Sequence, residues 1–249
     1  MTDYGKLFSQ IKDNASFLLV SLLLMVAVYA IAFVAEKLIE KKTGEKLRSK
    51  KIRTNRMTVI AMLSALAFIL MYFEIPLWFA PSFYKLDVSE VPVLLGAFMF
   101  GPTTGVVIEA VKILLHVVIQ GTSTAFVGDF ANFIFGCTLV IPASFIYFLK
   151  KNKKDAIVGM IVGSIVFIAC GTILNAVYLL PKYSVLYGMP MDVLIGMGTK
   201  VNGAITDVFT FVAFAVAPFN LLKSFVISVI TAVLYPYVSK ILKSPSKLG

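Results

Sequence analysis

The sequence predicts an all-α integral membrane protein: a bundle of six membrane segments with one extra transmembrane helix ahead of it. Three observations carry that reading. Hydrophobic residues make up 59% of the 249 and charged residues only 14%, more apolar surface than a soluble domain of this length needs. The apolar residues run in long unbroken stretches suited to a bilayer. The basic residues are gathered: of 23 Lys and Arg, nine fall between Lys37 and Arg56, four between Lys150 and Lys154 and three between Lys240 and Lys247. Such clusters mark cytoplasmic loops under the positive-inside rule. The net charge of +10 is therefore a membrane-topology signal, and nucleic acid is excluded as a partner.

The elements follow in order. Ser16–Ala35 is too long for a signal-peptide core and runs into charges rather than a small-residue cleavage site, so it is read as a retained helix. Residues 1–56 thus form an extra N-terminal helix with a basic cytoplasmic linker. The membrane domain proper spans 57–240, and 241–249 is a basic cytoplasmic tail. Thr58–Trp78 runs outward and ends near Pro76 and Pro81, with Tyr72, Trp78, Phe79, Phe83 and Tyr84 as an interfacial aromatic belt. The outer loop Ser82–Ser89 carries Lys85 and Asp87. Val91–Phe100 is a short inward span, broken by Gly101-Pro102-Thr103-Thr104-Gly105. Thr104–Ile119 runs outward, Ala125–Leu149 inward, and Ala156–Leu180 outward to a stop at Pro181. The polar, Gly-rich stretch Lys182–Thr206 is placed outside. Val208–Ala217 is too short to span, and Pro218 opens the last crossing, Pro218–Val238. This path puts the N-terminus outside, the C-terminus in the cytoplasm and all three basic clusters on one side of the cell membrane.

That topology locates the polar residues. Asn220 and Lys223 are three residues apart on one helix face. A lysine in hydrocarbon costs about 3 kcal/mol on insertion scales and usually faces a cavity or a partner. At 1.5 Å per residue Lys223 lies about 25 Å from Lys240, toward the outer face. Asn175 reaches a similar depth on the outward helix, about 28 Å beyond Ala156. Amide and ammonium groups together suit a neutral, flat, hydrogen-bonding ligand edge. Asn132 shares a face with Asp129 near an outer helix end; Asn132 is a lining candidate and Asp129 a helix cap. Glu109, Lys112 and His116 share another face, as a structural ion pair or a proton relay. Ala61 and Ala65 form a small-xxx-small pattern for close helix approach. Cys137 and Cys170 suggest neither a disulfide nor a metal site. No phosphate-binding loop, H-E-x-x-H or G-x-S-x-G motif is present, which argues against an enzyme.

Several blocks then occur in a recognisable order. They are Leu86-Asp87-Val88-Ser89-Glu90-Val91-Pro92, Phe100-Gly101-Pro102, Phe130-Ala131-Asn132-Phe133, Leu174-Asn175 with Leu179-Leu180-Pro181, and Pro218-Phe219-Asn220-Leu221-Leu222-Lys223. From about Arg56 to Lys240 the chain resembles the riboflavin-specific S component of energy-coupling factor (ECF) vitamin transporters. The resemblance implies a six-helix bundle that binds one vitamin near its outer face. A transmembrane coupling subunit and two ATPase subunits would drive release. It implies Asn175, Asn220 and Lys223 as riboflavin contacts and Ala61 and Ala65 as the coupling-subunit interface; Asn132 and Asp87, from their positions near the outer face, complete the expected substrate-binding set. Riboflavin is then a transported substrate, and no cofactor or metal is expected. The helix at Ser16–Ala35 is extra to that six-helix core. Alternatives at this point are an FMN or other flavin subunit, or an ion-coupled carrier or membrane enzyme using Glu109, Lys112 and His116.

Overall fold

The structure, a computed structural model, describes residues 4–47, 53–81, 83–122 and 124–243. A short helix α1 (Tyr4–Asp13) leads into α2 (Ala15–Thr43), the extra helix, which ends at Gly44 in the left-handed conformation. Next come α3 (Arg53–Tyr72) and a two-stranded hairpin, β1 (Ile75–Pro76) paired antiparallel with β2 (Lys85–Leu86). The bundle continues with α4 (Glu90–Phe100), α5 (Pro102–Gln120), α6 (Val127–Phe148) and α7 (Lys153–Leu174). A π turn (Asn175–Leu179) joins α7 to α8 (Leu180–Tyr187), and α9 (Met191–Val201) follows. The last run is α10 (Val208–Phe211), a second π turn (Val212–Val216) and α11 (Ala217–Lys243). Of the basic tail, residues 244–249 lie outside the described residues, as do residues 48–52 of the basic linker.

All seven expected segments are helical: among the described residues five runs are long and apolar enough to cross a membrane, Ala15–Thr43, Pro102–Gln120, Val127–Phe148, Lys153–Leu186 and Val208–Tyr237, and two shorter apolar helices, Arg56–Tyr72 and Glu90–Phe100, complete the set. Two details change. The stretch read as a short inward span is α4, 11 residues or about 16 Å long. Its residues Glu90–Phe98 are all buried, because α3, α5, α6 and α11 surround it. Hydropathy reads a helix buried in protein and one buried in lipid alike. The second span also ends earlier, at Tyr72, and the aromatic belt beyond it divides: Trp78 is exposed, whereas Phe83 and Tyr84 turn inward.

The two prolines were also misread. Pro181 does not stop a helix and Pro218 does not start one. The Leu180 N–H donates to the Asn175 carbonyl and the Ala217 N–H to the Val212 carbonyl, five residues back in each case. A proline lacks the N–H of an α-turn and its ring crowds the carbonyl four residues back. A π turn just before it widens the spiral and lets the helix continue. The segment 182–206 is accordingly largely helical, in α8 and α9.

The bundle's tightest pair is α6 with α7. A Cβ on Gly159 or Gly163 would lie 2.4 Å from the Ala143 or Leu139 carbonyl oxygen, so only glycine permits that approach. The extra helix packs on α5 and α6; its buried Ala32 joins Val106, Ile113, Phe133 and Cys137 in one apolar cluster.

Candidate substrate-binding site

A cavity of about 410 Å³ lies beneath the hairpin, within the range of about 300–1,000 Å³ typical of small-molecule sites. All five predicted substrate-binding residues line it: Asn175, Asn220, Lys223, Asn132 and Asp87. The aromatic rings of Phe83, Tyr84, Phe135, Phe167, Tyr183 and Phe219 line the same space.

Asn175 is the first residue of the π turn that Pro181 requires. Its Nδ2 donates to the Gly171 carbonyl at 2.7 Å, and its Oδ1 accepts from the Tyr84 hydroxyl at 2.6 Å. An amide has two N–H donors and two acceptor lone pairs, so one of each remains. Asn220 packs against the same turn of α7: a Cβ on Gly171 would lie 2.5 Å from its Nδ2. That nitrogen is buried and has no hydrogen-bond partner among the described residues. A buried unpaired donor costs about 1–3 kcal/mol, a cost that an acceptor on a bound molecule would remove.

Lys223 is not the free donor that its sequence position suggests. Its Nζ donates to Asp87 Oδ2 at 2.8 Å and sits 3.5 Å from Glu90 Oε1. Both side chains of the Lys223–Asp87 pair are buried. Burial alone would raise the Asp87 carboxyl; the Lys223 ammonium, with Lys112 and the Ser89 side chain, outweighs it and holds the group at about 2. Removing one member of such a pair strands the other charge, at about 3–5 kcal/mol. The pair also ties the loop after β2 to α11.

The face Glu109–Lys112–His116 separates into two units. Lys112 Nζ meets Glu109 Oε1 at 2.6 Å, Glu90 Oε1 at 3.4 Å and Ser89 Oγ at 3.1 Å, all buried between α4 and α5. His116 Nδ1 instead lies 2.8 Å from Asp129 Oδ1, on the cavity wall. The expected helix cap on Asp129 is therefore replaced: Thr124 Oγ1 accepts from the Gly128 N–H at 2.9 Å, and Asp129 faces His116. Ala61 and Ala65 are exposed on α3 beside Met62, Leu66 and Ile69, while Ser64 and Ala67 face the core.

Sequence reasoning missed Tyr84, Phe83, Gly171 and the His116–Asp129 pair. Tyr84 and Phe83 had a signal: they lie just before the strand β2 (Lys85–Leu86) that leads into Asp87. Gly171, four residues before Asn175, had one as well.

A membrane-embedded bundle with an aromatic and amide-lined cavity near one end defines a small-molecule-binding membrane subunit. Comparison with known proteins makes this particular. The family model for the ECF transporter substrate-specific component matches residues 55–235, and the chain belongs to that family. That is a family of transport components, which removes the enzyme reading. The riboflavin transporter RibU of Staphylococcus aureus (strain TCH60) is 35% identical over 189 residues, covering 76% of this chain and 93% of that protein. The riboflavin transporter FmnP of Bacillus subtilis (strain 168) is 30% identical, covering 73% and 90%. A solved structure described as the S component of a bacterial ECF transporter aligns with a TM-score of 0.61 at 34% identity, covering 77% of this chain and 99% of that one.

Proposed function

We propose that this chain is the riboflavin-binding subunit of an ATP-driven vitamin uptake transporter, energised by a separate coupling subunit and ATPases. The observation that carries this is the convergence of Asn175, Asn220 and the Lys223–Asp87 pair on one aromatic-lined cavity. The isoalloxazine ring is flat and edged with acceptors and one N–H. Aromatic walls hold its faces. The unpaired Asn220 Nδ2, the remaining Asn175 groups and a remaining Lys223 N–H meet its edge. Asn132 and the His116–Asp129 wall suit the ribityl hydroxyls. The similarity to proteins named riboflavin transporters supports the same ligand.

Charge balance favours riboflavin over FMN. Each basic side chain lining the cavity has a carboxylate at ion-pair distance: Lys223 with Asp87, Lys85 with Glu74, and His116 with Asp129. A phosphate would have to pull an ammonium from a carboxylate and then face that carboxylate. A neutral polyol needs neither.

The cavity faces outward and the basic clusters face the cytoplasm. The Lys151–Glu45 ion pair supports this by setting the α6–α7 turn beside the end of α2, two basic segments at one end of the bundle. Ala61 and Ala65 present α3 to the coupling subunit, where small side chains allow close helix approach. The test is uptake of labelled riboflavin into proteoliposomes. The complete transporter with ATP should accumulate it, and this chain alone should bind without accumulating; accumulation by the chain alone would refute the assignment.

A further inference from the structure

The matched family region begins at residue 55, so α2 lies outside it, yet one carboxylate of α2 is built into the bundle. Glu36 is 2% exposed. Its Oε1 accepts from the Thr103 N–H at 3.0 Å and also from the Thr103 hydroxyl. Arg56 Nη2 donates to the same Thr103 Oγ1 at 2.9 Å and lies 3.8 Å from Glu36 Oε1. Thr103 is the second residue of α5 and Arg56 stands in the first turn of α3. Glu36 therefore satisfies an orphan N–H at the start of α5, on the favourable end of its dipole, and holds the α3 guanidinium in the same knot.

The chain makes room for this. Gly101, just before α5, has φ +100°, which disfavours any side chain, and a Cβ there would lie 2.7 Å from Glu36 Oε1. Leu47, beyond the end of α2, is buried in the main core and its amide donates to Glu40 Oε1 at 3.1 Å. The helix is thus fastened at its cytoplasmic end, whereas little of its apolar length is buried in the bundle.

We propose that Glu36 is a positioning residue. Through Thr103 and Arg56 it locks the cytoplasmic ends of α3 and α5 together, and so fixes how α3 presents Ala61 and Ala65 to the coupling subunit. This rests on the docking face proposed above. The ligand cavity lies at the opposite end of the bundle, so the lock bears on coupling and not on binding.

The test separates these. Glu36→Leu should leave the riboflavin affinity of the isolated subunit within twofold and lower uptake by the complete transporter at least tenfold. Glu36→Gln keeps an acceptor for Thr103 and should restore uptake to within threefold. Unchanged uptake by Glu36→Leu overturns the proposal, as does joint loss of binding and uptake, which would make Glu36 a general stability element. Ala61→Trp with Ala65→Trp is run in parallel. If that variant transports normally, the docking face itself is wrong. The lock is then judged by hydrogen exchange: backbone exchange over 53–60 and at Thr103 must rise at least tenfold in Glu36→Leu, and unchanged exchange overturns it.

Discussion

Gly171→Ala is the smallest change that reaches the proposed flavin edge. The new Cβ would lie 2.5 Å from Asn220 Nδ2, against about 3.5 Å for an ordinary contact, so the amide must retreat by about 1 Å. Asn is short and its backbone is fixed in α11, so the amide turns away from the ligand. A hydrogen bond lengthened that far is lost, and a buried donor left unpaired costs about 1–3 kcal/mol, or about 5- to 150-fold in affinity. Asn175 keeps its bond to the Gly171 carbonyl, because that oxygen does not move. The loss therefore belongs to Asn220 alone. Titrating riboflavin fluorescence with purified variants measures it, and the double variant Gly171→Ala/Asn220→Ala should be no weaker than Asn220→Ala. Alanine also favours the helix over glycine by about 1 kcal/mol, so thermal stability should not fall in parallel. Affinity within twofold of the parent, or full additivity in the double variant, would refute the placement of Asn220 at the ligand.

Three further outcomes follow from the same geometry. Lys223→Met should weaken binding at least tenfold and destabilise the protein by stranding Asp87, whereas Lys223→Met/Asp87→Asn should recover stability but not binding, as read by thermal unfolding and fluorescence titration. Asp87 is held at about 2, so the pair contributes fully above about pH 4 and is lost only as pH falls toward 2; Asp87→Asn, not mild acid, should unpair Lys223. Tyr84→Phe removes the hydroxyl that fixes Asn175 Oδ1 and should cost about tenfold in riboflavin affinity by the same titration. Ala61→Trp with Ala65→Trp should abolish uptake by the complete transporter and leave binding by the isolated subunit unchanged; loss of binding would instead place this face inside the bundle.

Much of the site is legible because charge and amide groups are expensive in hydrocarbon. Asn175, Asn220 and Lys223 stand out against apolar sequence, and the constant rise of a helix puts them at one depth. What is not legible is pairing across the chain. Asp87 neutralises Lys223 from 136 residues away, and only the folded hairpin shows it. The same holds for Tyr84 on Asn175, which has the sequence signature of an interfacial aromatic. The prolines misled for a local reason: a helix breaker reads as a boundary, and the π turns that carry α7 past Pro181 and α10 past Pro218 leave no simple pattern. The α4 span misled because apolar length says nothing of whether lipid or protein surrounds it. The extra helix was legible from hydropathy, but its fastening through Glu36 depends on Arg56 and Thr103 meeting at one end of the bundle.

The most direct measurement is equilibrium titration of the purified full-length chain with riboflavin, following quenching of flavin fluorescence. The expected result is tight, saturable quenching at one riboflavin per chain, with FMN competing at least tenfold less effectively. A chain that leaves riboflavin fluorescence unchanged, or that binds FMN more tightly than riboflavin, would contradict a neutral flavin site built from Asn175, Asn220 and the Lys223–Asp87 pair.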